Sequence, residues 1–153
     1  DNSSPSNENE FSQVVHFFTR MSNLLLTNDL QIAFETDLGP QPFADFLSNF
    51  NEESFGVNYD IGNSASFGFN PRKEFAAVGP RVINVHVKDR VLGGTTVPLG
   101  TGNADFPTVF RCLNEHGYVG NLIMQTARAQ DGKHAEVLAM YREQIARWME
   151  EAK

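Results

Sequence analysis

Cysteine is nearly absent. Cys112 is the only one in 153 residues, which excludes an internal disulfide and leaves stability to the core. Tryptophan is as scarce, with Trp148 alone. Positive charge is in deficit: 12 Lys and Arg stand against 19 Asp and Glu, a net charge of −7. A nucleic-acid surface needs clustered cations to replace the counterions of phosphates, so that class of partner is disfavoured. No apolar run approaches the ~20 residues that span a bilayer. The N-terminus lacks the basic-then-apolar pattern of a signal peptide. A cytoplasmic protein without membrane or nucleic-acid partners is the expectation. The chain begins at Asp1 rather than Met, which suggests that upstream sequence was removed or lies outside it.

What the chain has is an ordinary hydrophobic content of 41%, with 13 Phe. A single domain of this length buries roughly 70% of its unfolded surface. Residues 1–10 are nearly all polar and are expected to form a disordered lead-in, followed by one domain over 11–153. Phe11, Val14, Val15, Phe18, Met21 and Leu25 recur at helical spacing, which predicts a helix from Phe11 to Asn28. A strand ending at Glu35 follows, then a helix over Phe43 to Phe50 and a strand from Phe55 to Asp60. Asn70-Pro71 starts a helix that ends near Gly79. Arg81 to Lys88 form the third strand. A Gly-rich loop leads to a helix opened by Asp105 and Pro107 and stopped by Gly117. Asn121 to Thr126 form the fourth strand, and Val137 to Met149 the last helix. Alternating elements of this kind imply a parallel sheet with right-handed crossovers.

Three residues at strand ends carry the functional signal. Asp60 follows Glu35 by 25 residues, and His86 follows Asp60 by 26. Each interval fits one βα unit, so the three ends meet at one edge of the sheet. Glu, Asp and His together make an oxygen and nitrogen site for a divalent metal. Counting by twos groups Gln31, Ala33 and Glu35 with Gly56, Asn58 and Asp60, then with Asn84, His86 and Lys88, then with Asn121, Ile123 and Gln125. That face is polar, while Ile32, Phe34, Val57, Tyr59, Ile83, Val85, Val87, Leu122 and Met124 alternate onto the other. A buried polar face is costly unless it is hydrogen-bonded or serves a site. A barrel interior with a polar upper layer fits.

The segments Tyr59-Asp60-Ile61-Gly62-Asn63, Val85-His86-Val87-Lys88-Asp89 and Pro98-Leu99-Gly100-Thr101-Gly102-Asn103-Ala104-Asp105-Phe106 resemble those of the xylose-isomerase-like sugar isomerases and epimerases. The likeness is strongest to the pentulose-5-phosphate 3-epimerases, including L-xylulose and L-ribulose 5-phosphate enzymes, and covers about residues 30 to 150. It implies an α/β fold, the (βα)₄ half of a TIM barrel: strands five to eight preceded by one helix, with the first four strands absent. It also implies a divalent metal held by one residue from each of the four strands. Glu35, Asp60 and His86 match three of them. The fourth position, a Glu in the family, is Gln125 here.

The implied chemistry is proton transfer next to a ketose carbonyl. Glu35 removes the proton, a metal (Mn²⁺, Mg²⁺ or Co²⁺, with Zn²⁺ a further candidate) acts as Lewis acid on the enediolate, and the residue at 125 returns a proton from the other face. A Gln amide can ligate a metal but accepts no proton near neutral pH. Asn63, Lys88, Arg90 and Gln41 are the expected substrate contacts. Two functions follow. One is a metal-dependent sugar or sugar-phosphate isomerase or epimerase. The other is a non-catalytic half-barrel, a fragment or degenerate relative that folds and self-associates. A related DNA-repair nuclease would need more His and carboxylate ligands and a basic surface. Two exposed sheet edges predict a homodimer, or a partner supplying the first half-barrel.

Blander readings attach to single residues. A lone carboxylate at a strand end is commonly a helix cap, and Lys88 suits an ion pair with Asp60 or Asp89. Gly100-Thr101-Gly102 lacks the third Gly of a dinucleotide fingerprint and reads as turn geometry. His16, His116 and His134 read as surface residues, and Cys112 as packing.

Overall fold

Strands of alternating polarity close into a sheet when one face can be covered by helices. The computed structural model describes residues 5, 7–129 and 131–153. Its elements run α1 (Glu8–Thr19), α2 (Ser22–Thr27), β1 (Ile32–Phe34), α3 (Pro40–Leu47), β2 (Phe55–Asp60), α4 (Ile61–Phe67) and α5 (Pro71–Val78). They continue with β3 (Val82–Val87), β4 (Asp89–Arg90), β5 (Thr96–Val97), α6 (Phe106–Glu115), β6 (Asn121–Met124) and α7 (His134–Glu151).

The main sheet has the order β1-β2-β3-β6, and every pairing is parallel. Strands succeed one another without a reversal. Helices α3, α5, α6 and α7 likewise pack each on the next. This winding in one direction is that of a barrel arc, and a doubly wound sheet would reverse. Phe34, Val57, Tyr59, Val85 and Val87 are buried under the helices, whereas Ala33, Asn121 and Ile123 on the opposite face are exposed. The alternation read from the sequence holds at these positions, whereas β2 is buried on both faces and the register shift turns Ile83 to the polar face beside Gly56, with Val82 paired to Val57 in its stead.

Aromatic packing fixes both ends of the helix layer. Phe34 stacks on Phe55 at 5.8 Å and meets Phe18 of α1 edge-on at 4.9 Å. At the far end Trp148 of α7 stacks on Phe106 of α6 at 4.4 Å. Such pairs add about 0.5–1.5 kcal/mol each beyond their buried area.

The structure departs from the sequence reading in four places. The helix expected from Phe11 to Asn28 is two helices, α1 and α2, broken at Arg20 and Met21. Residues 1–4 and 6 of the expected lead-in lie outside the described residues. Asn7 and Glu8–Glu10 are described: the Asn7 side chain caps α1 by accepting from Glu10 N at 3.0 Å. The acidic first turn then sits favourably at the positive end of the helix. Helix α4 and the β4–β5 hairpin were not anticipated.

One buried carboxyl lies on the helix side of the sheet. Glu74 of α5 accepts hydrogen bonds at Oε2 from Tyr59 Oη at 2.9 Å and Ser64 Oγ at 2.5 Å. Burial pushes its pKa up, against the lowering effect of the Ser64 and Tyr59 hydrogen bonds. The folded state therefore holds this proton more tightly than the unfolded chain. The stabilising effect of protonation is complete below the unfolded carboxyl pKa and is lost as pH rises through the folded one. A Glu74→Gln variant keeps an acceptor oxygen for both hydroxyls and never ionises. It is expected to melt above wild type at pH 8, with the two curves converging by about pH 4. A gap independent of pH would contradict this account.

Candidate functional site

A one-residue register shift places the polar cluster. Val57 pairs with Val82, but Asn58 pairs with Asn84 and Asp60 with His86, so an irregularity lies between Val57 and Asn58. Without it Asp60 would sit opposite Val85 and share its face, and His86 would turn to the other side of the sheet. With it, Asp60 and His86 stand side by side at the carboxyl ends of β2 and β3. Glu35 follows β1 directly. One ligand atom from each of Glu35, Asp60 and His86 lies within 4.8 Å of the others. His86 Nδ1 is 3.5 Å from Glu35 Oε2 and 3.6 Å from Asp60 Oδ2.

Each member is held by its neighbours. Asp60 is the N-cap of α4, and its Oδ1 accepts from Asn63 N at 2.8 Å. Glu35 is gripped at both oxygens: Asn63 Nδ2 donates to Oε1 at 2.7 Å and Asn58 Nδ2 to Oε2 at 2.5 Å. Asn84 Nδ2 donates to Asn58 Oδ1 at 2.7 Å, which orients the Asn58 amide toward Glu35. Asn58 Nδ2 also lies 3.1 Å from His86 Nδ1. In the tautomer whose Nδ1 accepts from Asn58, that contact occupies the lone pair facing the two carboxylates, and an ion bonded to Nδ1 would displace the amide.

The donor set fits a divalent ion. Asp60 Oδ2 is buried and no hydrogen bond reaches it. Lys88 Nζ approaches to 2.7 Å, but off the direction a hydrogen bond requires, so the contact is one of charge. Ligands bonded at about 2.0–2.2 Å to one ion stand within roughly 4.4 Å of each other. Small side-chain movements would close Glu35, Asp60 and His86 on such an ion.

The other expected site residues fall into three groups. Lys88 pairs with Asp60 rather than Asp89, and it donates to Gln125 Oε1 at 2.7 Å. Gln125 thus joins the cluster through Lys88. Arg90 donates to Asn63 Oδ1 at 2.8 Å and to Gly94 O at 2.6 Å. Arg90, Asn63 and Glu35 line an open cleft of about 720 Å³, with Phe34, Leu38 and Phe67 as apolar walls. Gln41 stays outside: it is exposed on α3 and its amide is bonded to Asp45 at 2.8 Å.

Asn58, Asn84 and Asp89 were not singled out from the sequence. The first two lie on the polar face that strand parity marked. Asp89 is 1% exposed and organises the Gly-rich loop. Its Oδ2 accepts from Gly100 N at 2.9 Å and Gly102 N at 2.8 Å, and its Oδ1 from Ala104 N at 3.1 Å. A Cβ on residue 102 would come within 2.3 Å of Asp89 Oδ1, so only Gly fits there. The Gly100 and Gly102 N–H groups are engaged by this carboxylate, in keeping with the turn reading. His16, His116 and His134 are exposed and Cys112 is buried in the core.

The family described as xylose isomerase-like TIM barrel matches residues 3–152. The L-ribulose-5-phosphate 3-epimerase UlaE of Escherichia coli O1:K1 is 34% identical over 77 residues, which is 50% of this chain and 27% of that protein. A xylose isomerase domain protein from Planctomyces limnophilus superposes with a TM-score of 0.79 at 21% identity, covering 95% of this chain and 56% of that one. A xylose isomerase-like TIM barrel protein from Mycobacterium smegmatis, solved in complex with magnesium, superposes with a TM-score of 0.71 at 18% identity, covering 99% and 54%. The chain thus spans little more than half the length of these structures, and the aligned segment about a quarter of the curated relative. Among the described residues, no helix is long and apolar enough to cross a membrane.

Proposed function

The chain belongs to the xylose isomerase-like TIM barrel family, and from that premise we propose that it forms the metal-binding half of a sugar or sugar-phosphate isomerase or epimerase. Convergence of Glu35, Asp60 and His86 at one sheet edge carries the reading. It is supported by the likeness to a pentulose-5-phosphate epimerase. The four parallel strands correspond to strands five to eight of the full barrel. Phosphorylated sugars are retained inside cells by their charge, so the cytoplasm is the compartment this reading implies.

Glu35, Asp60 and His86 would hold the ion, with Gln125 as a neutral fourth ligand. Magnesium, manganese or cobalt suits this oxygen-rich set, and zinc remains compatible with it. When bound, the ion supplies Lewis acidity to the oxygens of a ketose. The residues of the chain do the rest. Glu35 is 37% exposed at its side chain and faces the cleft, where it can take a proton from a carbon beside a carbonyl. Asn58 and Asn63 fix the orientation of its carboxylate. Arg90 and Lys88 offer positive charge to an anionic substrate. Gln41 would reach such a substrate only if its bond to Asp45 opened.

Gln125 favours the second reading, a half-barrel that binds but does not turn over. Epimerisation requires a proton to return on the face opposite Glu35, and an amide cannot deliver one. Wild-type protein is accordingly expected to show little or no 3-epimerisation of pentulose 5-phosphates. Gln125→Glu is expected to raise the rate about 10²-fold. Robust epimerisation by the wild type would contradict this assignment.

For the ion itself, calorimetry on metal-stripped protein is expected to show Mn²⁺ binding that His86→Ala abolishes. Equal binding by that variant would refute the ligand set.

Assembly follows from the sheet. β1 and β6 are its outer strands, and Ile123 on the inner face is 46% exposed. Unpaired edges template association, and a small closed barrel needs about eight strands. A homodimer closes the arc, with edge pairing slightly favoured over face packing, unless a separate chain supplies the other half-barrel. Sedimentation equilibrium at micromolar concentration is expected to give a dimer. A stable monomer would contradict this.

A further inference from the structure

We propose that Lys88 is a built-in competitor for the divalent ion, an internal cation that the ion must displace on entry. The inference rests on the metal reading above and concerns what sets the affinity of that site. The Lys88 ammonium lies 2.7 Å from Asp60 Oδ2 and 2.7 Å from Gln125 Oε1. These are one atom of the three-residue cluster and the atom standing at the fourth ligand position. Asp60 Oδ1 is engaged as the cap of α4, so Oδ2 is the oxygen that Asp60 has left to offer. The ammonium therefore stands against an oxygen that a metal would use.

The chain is shaped for this placement. The Lys88 side chain is only 11% exposed, and its stem crosses above Gly62. A Cβ on residue 62 would meet Lys88 Cγ at 2.8 Å, so the absence of a side chain there lets the lysine lie inward. Gln125 completes the arrangement. Its neutral oxygen holds the ammonium, which a carboxylate would also do, but it adds no negative charge to attract a divalent ion. Glu35, Asp60 and Lys88 together leave one net negative charge around the cluster with His86 neutral. A carboxylate at 125 would leave two.

An ion bonded to Asp60 Oδ2 would stand within about 5 Å of an ammonium on the same oxygen. At that separation the repulsion from a divalent charge about cancels the attraction that holds the ammonium to Asp60, while the ion keeps most of its own. Loading must therefore move Lys88 away from Asp60, and the work of separating that pair weakens the ion's apparent affinity. A lysine that only braced Asp60 would stay in place and leave the affinity unaffected or improved by its presence.

The test is calorimetric titration of metal-stripped wild-type protein and Lys88→Met with MnCl₂. The variant is expected to bind about tenfold more tightly or better. Because removing one member of a buried ion pair can prevent folding, Lys88→Gln, which keeps a donor without the charge, is titrated in parallel. Arg90→Gln removes a nearby charge that does not touch Asp60, and a much smaller gain is expected from it. Wild-type protein supplies a second readout that needs no variant. Acetylation followed by peptide mass spectrometry is expected to show Lys88 reacting several-fold faster when Mn²⁺ is present, with exposed Lys73 as the internal reference. Mn²⁺ binding of equal strength in wild type and both Lys88 variants, or binding that leaves Lys88 labelling unchanged, would overturn the competitor role and leave the metal site standing. Absence of Mn²⁺ binding from every variant would overturn both.

Discussion

Asp60 is held at both of its oxygens for different purposes, and the arrangement of the sheet edge depends on it. Oδ1 caps α4 and so fixes where the chain turns after β2. That turn delivers Asn63, which grips Glu35 on one side and receives Arg90 on the other. Oδ2 faces His86 and Lys88. A carboxylate with 1% of its side chain exposed is stable only with such partners. The register shift at Val57 and Asn58 brings these partners to the same face.

A good deal of this was legible in the sequence. Four strands with alternating polarity, Pro and Asn at helix starts, and Glu35, Asp60 and His86 at intervals of one βα unit are signals that local chemistry writes plainly. The helix α4 was not legible, because seven residues containing Gly62, Ser64 and Ser66 have low helical propensity and form a helix through the Asp60 cap. The break between α1 and α2 escaped the periodicity because apolar spacing continues across Arg20 and Met21. Asn58 and Asn84 are ordinary residues by composition. Their role in holding Glu35 depends on cross-strand register, which tertiary pairing decides. Asp89 gave no signal as a loop organiser, since its three N–H donors come from residues 11 to 15 positions later.

Gln125 changes the balance of the cluster in two ways that share one cause. As an amide beside Lys88 it offers no group that accepts a proton near neutral pH. It also removes a negative charge opposite Lys88, so the lysine and Asp60 become the closest charge pair in the site. The same substitution thus bears on proton return and on ion affinity. The polar shell of Asn58, Asn63 and Asn84 orients Glu35 independently of Gln125.

The proposed site stands on Glu35, Asp60 and His86 binding one divalent ion together. Anomalous diffraction from crystals of the protein soaked in MnCl₂ tests it most directly. A manganese peak is expected bonded to Asp60 Oδ2, His86 Nδ1 and a Glu35 carboxylate oxygen, with the Lys88 ammonium moved off Asp60. A manganese peak elsewhere, with this cluster unchanged and Lys88 still on Asp60, would contradict it.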